Sequence, residues 1–301
     1  MALGFGIPFF AVIQAFDATP FADGRHQRVV YRPRDGFDCI CHALLSAQLS
    51  SCLRHGNGHP PAIRLFFRFM NPDDDIPDWD GTTADARALQ QSLPARVVLR
   101  DGFPKPLSMV AGFDIVVDGS STSTAAVVLL DAVELSIVES HVVSVATPDM
   151  QDVGLHSFRE VAALLAAFRM LAAVPDMALI DGHGIAHPQR FGVASHFGVA
   201  TGIPTIGVAT TALIGAASPL HQIRGAYTPL RDQGKQIGWL LRTQAREEPL
   251  VVSPGHKVAM ASTADLVMRF VTRHRLPEPL RLAGQLLPRS TAIGSQDAES
   301  E

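Results

Sequence analysis

Residues 109–117 read Met-Val-Ala-Gly-Phe-Asp-Ile-Val-Val, an apolar run with one carboxylate, Asp114, in its middle. Such a run is typical of a buried β-strand. A buried ionised carboxylate is tolerated only when it is paired or holds a metal. A second short apolar run over 177–180 ends in Asp181, and Glu160 lies on a predicted helix between the two runs. The sequence therefore predicts a magnesium site built from carboxylate oxygens.

The elements predicted around these two runs form a mixed sheet. The first run begins a series of three strands with short turns, which indicates an antiparallel meander. A helix over 158–173 then leads to the strand over 177–180, which the right-handed crossover rule makes parallel to the first strand. This topology places Asp181 beside Asp114. The fold class is α/β, a central mixed sheet with an antiparallel meander flanked by helices. The remaining predicted strands cover 122–130, 135–146, 204–209, 236–242 and 249–253, and the remaining predicted helices cover 83–93, 190–201 and 260–274.

Composition indicates a globular protein of one large domain, or of one domain with an extension. The chain has 301 residues, of which 47% are hydrophobic and 18% are charged. Its formal net charge is −4. A nucleic-acid partner would therefore have to be held by local basic residues and a metal, and not by the overall field of the protein.

The chain divides into three parts by composition. Residues 1–78 form an N-terminal extension of uncertain structure with an acidic linker, residues 79–288 form the compact domain, and residues 289–301 form a polar tail that we expect to be disordered. The apolar residues 4–16 follow no basic residue and are too short to span a bilayer. We therefore predict a cytoplasmic protein without a membrane partner.

The three cysteines all lie in the N-terminal extension. Their odd number argues against a disulfide framework, and their spacing lacks the paired Cys-x-x-Cys of structural zinc sites. The cysteines are Cys39, Cys41 and Cys52.

Six blocks of sequence resemble the endonuclease V family in residue identity and in order, over about residues 79–287. The blocks are Val110–Asp114, Ser157–Glu160, Asp181–Pro188, Gly192–Gly198, Ile203–Ala209 and Ser253–His256. The resemblance implies a ribonuclease H-like fold and a metal-dependent endonuclease. It also implies a cut at the second phosphodiester 3′ to inosine, which leaves 3′-hydroxyl and 5′-phosphate ends.

The resemblance also implies roles for single residues. Asp114 and Asp181 would hold Mg²⁺, for which we expect Mn²⁺ to substitute, Glu160 would complete the acidic set through the metal or its water, and His256 would orient the nucleophile. The walls of a recess for a flipped hypoxanthine would be Gly154, Leu155, Gly182, Gly192 and Val193. Contacts to nucleic acid would come from Gln151, Thr210 and Arg242.

The chain departs from the family pattern at two places. Residues 150–153, Met-Gln-Asp-Val, stand where the family usually has a Pro-Tyr-Ile/Val-Pro wedge, and Thr210 stands where it usually has a lysine. Without an aromatic wedge, opening a duplex is disfavoured, so we expect a preference for inosine in single strands. The lost positive contact predicts weaker binding. The expected partner is inosine-containing DNA, with RNA left open, and the expected state is a monomer.

Each of these residues has a structural alternative. Ser157 and Glu160 have the spacing of a helix capping box, Asp181-Gly182 is also an ordinary turn sequence, and Arg242 could be a solvated charge at a strand end. His187 and His196 are more typical of structural hydrogen bonding than of catalysis. Two other functions remain open: a module that binds inosine without cleaving, and a structure-selective nuclease for flaps or single strands.

Overall fold

The computed structural model describes residues 83–118, 122–146 and 156–287. Helices are α1 (Thr83–Ser92), α2 (His156–Arg169), α3 (Val193–Thr201), α4 (Met260–Arg269) and α5 (Glu278–Leu286), with a 3₁₀ turn over Leu93–Arg96 after α1. Strands are β1 (Met109–Asp118), β2 (Thr122–Asp131), β3 (Ile137–Ala146), β4 (Met177–Asp181), β5 (Thr205–Ala209), β6 (Tyr227–Asp232), β7 (Lys235–Leu241) and β8 (Leu250–His256). The predictions for the extension, the cysteines and the tail concern residues outside these ranges.

The eight strands form one mixed sheet in the order β3-β2-β1-β4-β5-β8-β7-β6. The first three strands are the predicted antiparallel meander. Strand β4 lies parallel to β1, with Phe113 opposite Ile180, and β5 continues the parallel run beside β4. The predicted α/β class and mixed sheet are confirmed. Because β1 and β4 run in the same direction, Asp114 and Asp181 follow their paired neighbours at the same edge of the sheet.

Helices cover both faces of the sheet. Helices α2 and α3 pack on one face, where Phe113 and Ile180 meet Leu164 and Phe197. Helices α4 and α5 pack on the other face, on a cluster that contains Val110, Leu179, Phe270 and Leu280. Each such side chain contributes about 1.5–3 kcal/mol when it is fully buried. Since side chains alternate across a strand, Asp114 points to the face opposite Phe113, which is the face that α5 covers.

Helix α5 lies unusually close to β1. A Cβ atom on Gly112 would stand 2.1 Å from the main-chain carbonyl of Pro279, so only glycine allows this approach. The contact fixes the first turn of α5 over the middle of β1. It therefore also sets the distance between the rest of α5 and Asp114, which lies two residues after Gly112 on β1.

Two elements differ from the sequence predictions in kind. Strand β6 was not predicted, because Pro229 and the charged end of the segment hide its alternation. Helix α5 was not predicted, because it has only nine residues and follows a Pro-Glu-Pro sequence.

Three helices differ from the predictions in their bounds. Helix α2 covers His156–Arg169 and not 158–173. Helix α3 begins at Val193 and not near 190, because Gly192 has extended backbone angles. Helix α4 ends at Arg269 and not at 274, since the carbonyls of the next residues accept hydrogen bonds from side chains of other loops.

Candidate active site

Two carboxyl groups meet where the parallel pairing of β1 with β4 ends, Asp114 in the middle of β1 and Asp181 at the end of β4. Asp114 and Asp181 share a side-chain hydrogen bond, and Asp114 Oδ1 also accepts the main-chain N–H of Ile115 at 2.7 Å. A hydrogen bond between two carboxyl groups requires a proton on one of them. The same proximity disfavours two ionised carboxylates, so it favours a proton on one of them when no cation is bound.

Electrostatics show the cost of this arrangement. Burial, the negative charge of Asp114, their hydrogen bond and the charge of Glu160 together raise the pKa of Asp181 to about 7. Burial also raises the pKa of Asp114. The side chain of Asp181 is nevertheless exposed to water. The aspartate thus lies in an open recess, where protein atoms surround it and solvent or a ligand can still reach it.

Glu160 is the third carboxylate of the site. It lies in the first half of α2, and burial raises its pKa to about 7 although the charge of Arg159 acts to lower it. Its charge acts on Asp181. The three acidic residues that the sequence singled out are therefore brought together, with the two aspartates in direct contact and the glutamate beside them.

This donor set suits a hard divalent cation. Carboxylate oxygens are the ligands that Mg²⁺ prefers, and Mg²⁺ is usually held by one or two carboxylates together with water and substrate phosphate. Among the residues that the structure describes, no three His, Cys, Asp or Glu side chains lie so that they could hold a metal ion together, so Glu160 does not join the two aspartates as a third ligand. Two adjacent aspartates that are open to solvent fit a Mg²⁺ site in which water and substrate phosphate supply the remaining ligands.

The loop after β4 contributes the predicted recess residues. Gly182 has φ +127°, and a Cβ there would stand 2.6 Å from the side chain of Val193. A Cβ on Gly192 would stand 2.3 Å from the carbonyl oxygen of His183. Gly182, Gly192 and Val193 therefore pack together at the start of α3, next to Asp181. Gly154 and Leu155, the other two predicted walls, lie outside the described residues.

His256 is not brought to the carboxylates. It pairs with Thr205 at the first residue of β5, whereas Asp181 pairs with Val208 near the last. Three residues along a strand correspond to about 10 Å. The His256 ring is buried, and its Nδ1 accepts the main-chain N–H of Val98 at 3.4 Å. The structure thus places His256 at the opposite end of the sheet, where it holds the segment before β1.

The predicted nucleic-acid contacts have different positions. Thr210 is exposed directly after β5, at the same end of the sheet as Asp181. Arg242 is buried, and its guanidinium donates to the carbonyl oxygens of His221 and Glu247. It is therefore not the solvated charge of the alternative interpretation. Gln151 lies outside the described residues.

The capping-box interpretation of Glu160 does not fit the helix boundary. Helix α2 begins at His156, so Ser157 lies inside the first turn, and its buried hydroxyl has no hydrogen-bond partner among the described residues. His196 is fully buried between Phe158 and Phe191, which lowers its pKa to about 3. This histidine packs between aromatic rings, and its buried Nδ1 has no hydrogen-bond partner among the described residues, so its role is packing and not the predicted structural hydrogen bonding.

Sequence reasoning missed two residues of the site. Gly284 on α5 faces Asp114, and a Cβ there would stand 2.7 Å from Asp114 Oδ2. A glycine within an unpredicted helix gives no signal in a single sequence. His183 follows Asp181-Gly182, and its Nε2 lies 2.9 Å from the carbonyl oxygen of Thr211. This contact joins the loops that follow β4 and β5, and only the proximity of His183 to Asp181 in sequence could have indicated it.

The chain is similar to known proteins in both sequence and structure. Residues 91–285 match the family model of endonuclease V. The chain is 49% identical over 219 residues to endonuclease V of Azotobacter vinelandii, an alignment that covers 72% of this chain and 99% of that protein.

Solved structures give the same result. Endonuclease V of Streptomyces avermitilis superposes with a TM-score of 0.66 at 37% identity, over 70% of this chain and 94% of that one. Endonuclease V of Ciona intestinalis, solved with a DNA that contains an inosine followed by a ribo-adenosine, shares the fold with a TM-score of 0.58 at 24% identity, over 67% and 95%. With its ribonuclease H-like fold, the chain belongs to the endonuclease V family of nucleases, hydrolases that act on phosphodiester bonds.

Proposed function

We propose that this nuclease is a magnesium-dependent endonuclease of DNA repair that cuts inosine-containing strands at the second phosphodiester 3′ to the inosine, leaving 3′-hydroxyl and 5′-phosphate ends. The observation that carries the proposal is the contact between Asp114 and Asp181 where the parallel pairing of β1 with β4 ends. Both carboxyl groups can be ionised at this distance only when a cation is bound, and the pair faces an open recess. The family membership supplies the reaction class.

In this proposal Asp114 and Asp181 hold the ion. Bound Mg²⁺ would activate water and stabilise the charge that develops on the phosphate and on the leaving 3′ oxygen. Ile115 N–H fixes the orientation of the Asp114 carboxylate. Glu160, whose pKa is raised to about 7, can accept a proton from water near neutral pH. His256 lies too far along the sheet to touch the reacting atoms, so we assign it a structural role.

The recess for the base is assigned to the glycine-rich loop. Gly192 packs on the main chain of His183, and Gly182 packs on the side chain of Val193, so the two glycines leave their main-chain groups without side chains of their own in front of them. Main-chain donors and acceptors can approach the edge of a flipped base directly. The inosine in the DNA bound to the Ciona intestinalis protein supports hypoxanthine as that base. Gly154 and Leu155 remain predicted members of the recess.

We further propose a preference for single strands, because residues 150–153 contain no aromatic wedge. Thr210 carries no charge with which to replace a lysine beside the phosphates, although the residue is exposed at the same end of the sheet as Asp181. DNA is the expected substrate, with RNA to be compared directly. A monomer in the cytoplasm remains our expectation. Among the described residues, no helix is long and apolar enough to span a membrane.

Residues 79–288 are proposed to be the catalytic domain. The family match over 91–285 lies within this range. A chain that starts at Met70 should therefore fold and cleave an inosine-containing strand in Mg²⁺. An insoluble or inactive product, with the full chain active, would show that the extension belongs to the working protein.

The test of function compares matched oligonucleotides with inosine or adenosine at one position, as single strands and as duplexes, in DNA and in RNA. Cleavage should require both inosine and Mg²⁺, the product end should map to the second phosphodiester, and single strands should be cut faster than duplexes. Binding is measured in parallel in EDTA, where no cleavage is expected.

The same experiment separates the alternatives. Tight binding of inosine without cleavage in Mg²⁺ would identify a binding module. Cleavage of single strands or flaps at equal rates with and without inosine would identify a structure-selective nuclease. Cleavage of inosine-containing strands at an unchanged rate in EDTA would overturn the metal assignment.

A further inference from the structure

Three loops form a basic surface at the same end of the sheet as the active site. They are residues 220–226 before β6, residues 242–249 between β7 and β8, and residues 270–277 between α4 and α5. The loops contain five arginines and two glutamates, a net formal charge of +3 in a chain whose net charge is −4. We call this surface the arginine face; its arginines are Arg224, Arg242, Arg246, Arg273 and Arg275.

Hydrogen bonds between the loops hold the arginine face together. Arg224 Nη2 donates to the carbonyl oxygens of Val271 and Thr272, and Gln244 Nε2 donates to the carbonyl oxygens of Thr272 and His274. Arg275 reaches the carbonyls of the residues just before β8. The three loops therefore form one structural unit whose shape is fixed before any ligand binds.

The positive charge of this surface exceeds its negative charge, which comes from the exposed Glu247 and Glu248 next to Arg246. Among the described residues, none of the five guanidinium groups forms an ion pair with a carboxylate; those with hydrogen bonds donate to main-chain carbonyls. Arg224, Arg246 and Arg273 are exposed. An exposed guanidinium without an ion pair is available to phosphate, which it can bind through two donors.

An exposed aromatic ring lies beside these charges. Tyr227, the first residue of β6, has half of its surface exposed and rests edge to face on Trp239, with 5.0 Å between ring centroids. Trp239 is in turn anchored by its Nε1, which donates to the carbonyl oxygen of Met260. A fixed ring next to arginines is the usual combination in proteins that bind single-stranded nucleic acid, where bases stack on the ring and the charges follow the backbone.

Strand register gives the distance to the active site. Asp181 on β4, Val208 on β5, Val252 on β8 and Trp239 on β7 are opposite one another in adjacent strands. Tyr227 lies one strand further, on β6, and four strand spacings correspond to about 19 Å. This separation is several times the axial rise of about 3.4 Å per phosphate along one strand of a duplex, so only a flank of several nucleotides can reach Tyr227.

We propose that the arginine face binds the phosphate backbone of the substrate strand several nucleotides from the cut, with Tyr227 stacking on a base of that flank. This inference rests on the proposed function, and adds to it a second contact area outside the recess. These contacts would supply positive charge to a chain whose net charge is −4 and which has Thr210 where the family usually has a lysine.

The test is the salt dependence of binding by the variant Arg246→Gln/Arg273→Gln. Binding of a fluorescent inosine-containing single strand with long flanks is measured in EDTA over a range of KCl concentrations. Each phosphate contact contributes about 0.7 to the slope of log K against log salt for single strands. The variant should therefore lose about 1.4 from the slope, and bind more weakly at low salt.

A matched control is available on the same sheet. Arg231 and Lys235 are also exposed, but they flank the turn at the other end of β6 and β7. Arg231→Gln/Lys235→Gln should leave the slope as in the wild type. Tyr227→Ala should weaken binding about tenfold, within the range of one stacked base, whereas Tyr227→Phe should not.

A short substrate distinguishes loss of contact from damage to the fold. An oligonucleotide with flanks of two nucleotides cannot reach the arginine face, so every variant should bind and cleave it as the wild type does. If the wild type binds inosine strands and the double variant keeps the full slope on long flanks, the inference is overturned while the proposed function stands. That result would favour an acidic protein as the partner of the arginine face. Failure of the wild type to bind or cleave inosine strands at all would instead remove the proposed function.

Discussion

Replacing Asp181 with asparagine should stabilise the metal-free protein while it abolishes cleavage. The pKa of Asp181 is raised from 3.8 to about 7 by burial, by Asp114 and by Glu160. A displacement of this size corresponds to a penalty of about 4 kcal/mol on the ionised form. Since the side chain is exposed to water, solvent screens part of this penalty. We expect the free energy of unfolding to rise by about 1–2 kcal/mol.

The sign of the pH dependence follows from the raised pKa. Between the ordinary and the raised value, the folded chain binds more protons than the unfolded chain, so stability falls as pH rises. The penalty is fully present above about pH 7 and absent below about pH 4. The advantage of Asp181→Asn should therefore be largest near pH 8 and smaller near pH 5.

Urea denaturation in EDTA measures this difference directly. A suitable control is Asp265→Asn, which removes an exposed carboxylate from α4, and should change stability by less than about 0.5 kcal/mol. If Asp181→Asn is no more stable than the wild type at about pH 8, ionised Asp181 does not lower the free energy of unfolding. The carboxylate pair would then have no unfavourable charge energy for a cation to compensate.

Three further substitutions test other parts of the account. Glu160→Gln should slow single-turnover cleavage by about 100-fold or more without lowering the free energy of unfolding; a rate near that of the wild type would return Glu160 to a structural role. Gly112→Ala should destabilise the fold by about 2–3 kcal/mol in urea, because its Cβ would overlap the main chain of Pro279; unchanged stability would contradict the close packing of α5 on β1. Asp101→Asn should cost about 1 kcal/mol. Burial acts to raise the pKa of Asp101, but hydrogen bonds from Ala259 and Ser262 and the charge of Lys105 lower it overall, so this contribution should be present at neutral pH and lost as pH falls below about 4; an equal cost at both pH values would contradict it.

The part of the site that the sequence predicted is the part built on regular strands. Asp114 lies within one apolar run and Asp181 ends another, and the crossover rule makes these two strands parallel, so it places the two aspartates side by side. His256 was misplaced because its block of sequence matched the family, whereas its distance from the site depends on the antiparallel pairing of β8 with β5. Gly284 was not predictable, because its role is to leave space for the Asp114 carboxylate, and a single sequence does not show that the two residues are neighbours. The arginine face joins loops that are far apart in sequence, and only their hydrogen bonds bring them together.

The most direct test of the central claim is the single-turnover cleavage of an inosine-containing single strand by the wild type and by Asp114→Asn, each in Mg²⁺ and in EDTA. We expect the wild type to cleave the strand in Mg²⁺ and not in EDTA. We also expect a loss of about 100-fold or more in Asp114→Asn, with binding of the strand in EDTA retained by both proteins. Cleavage by Asp114→Asn at the rate of the wild type would show that the carboxylate pair of Asp114 and Asp181 does not carry the reaction.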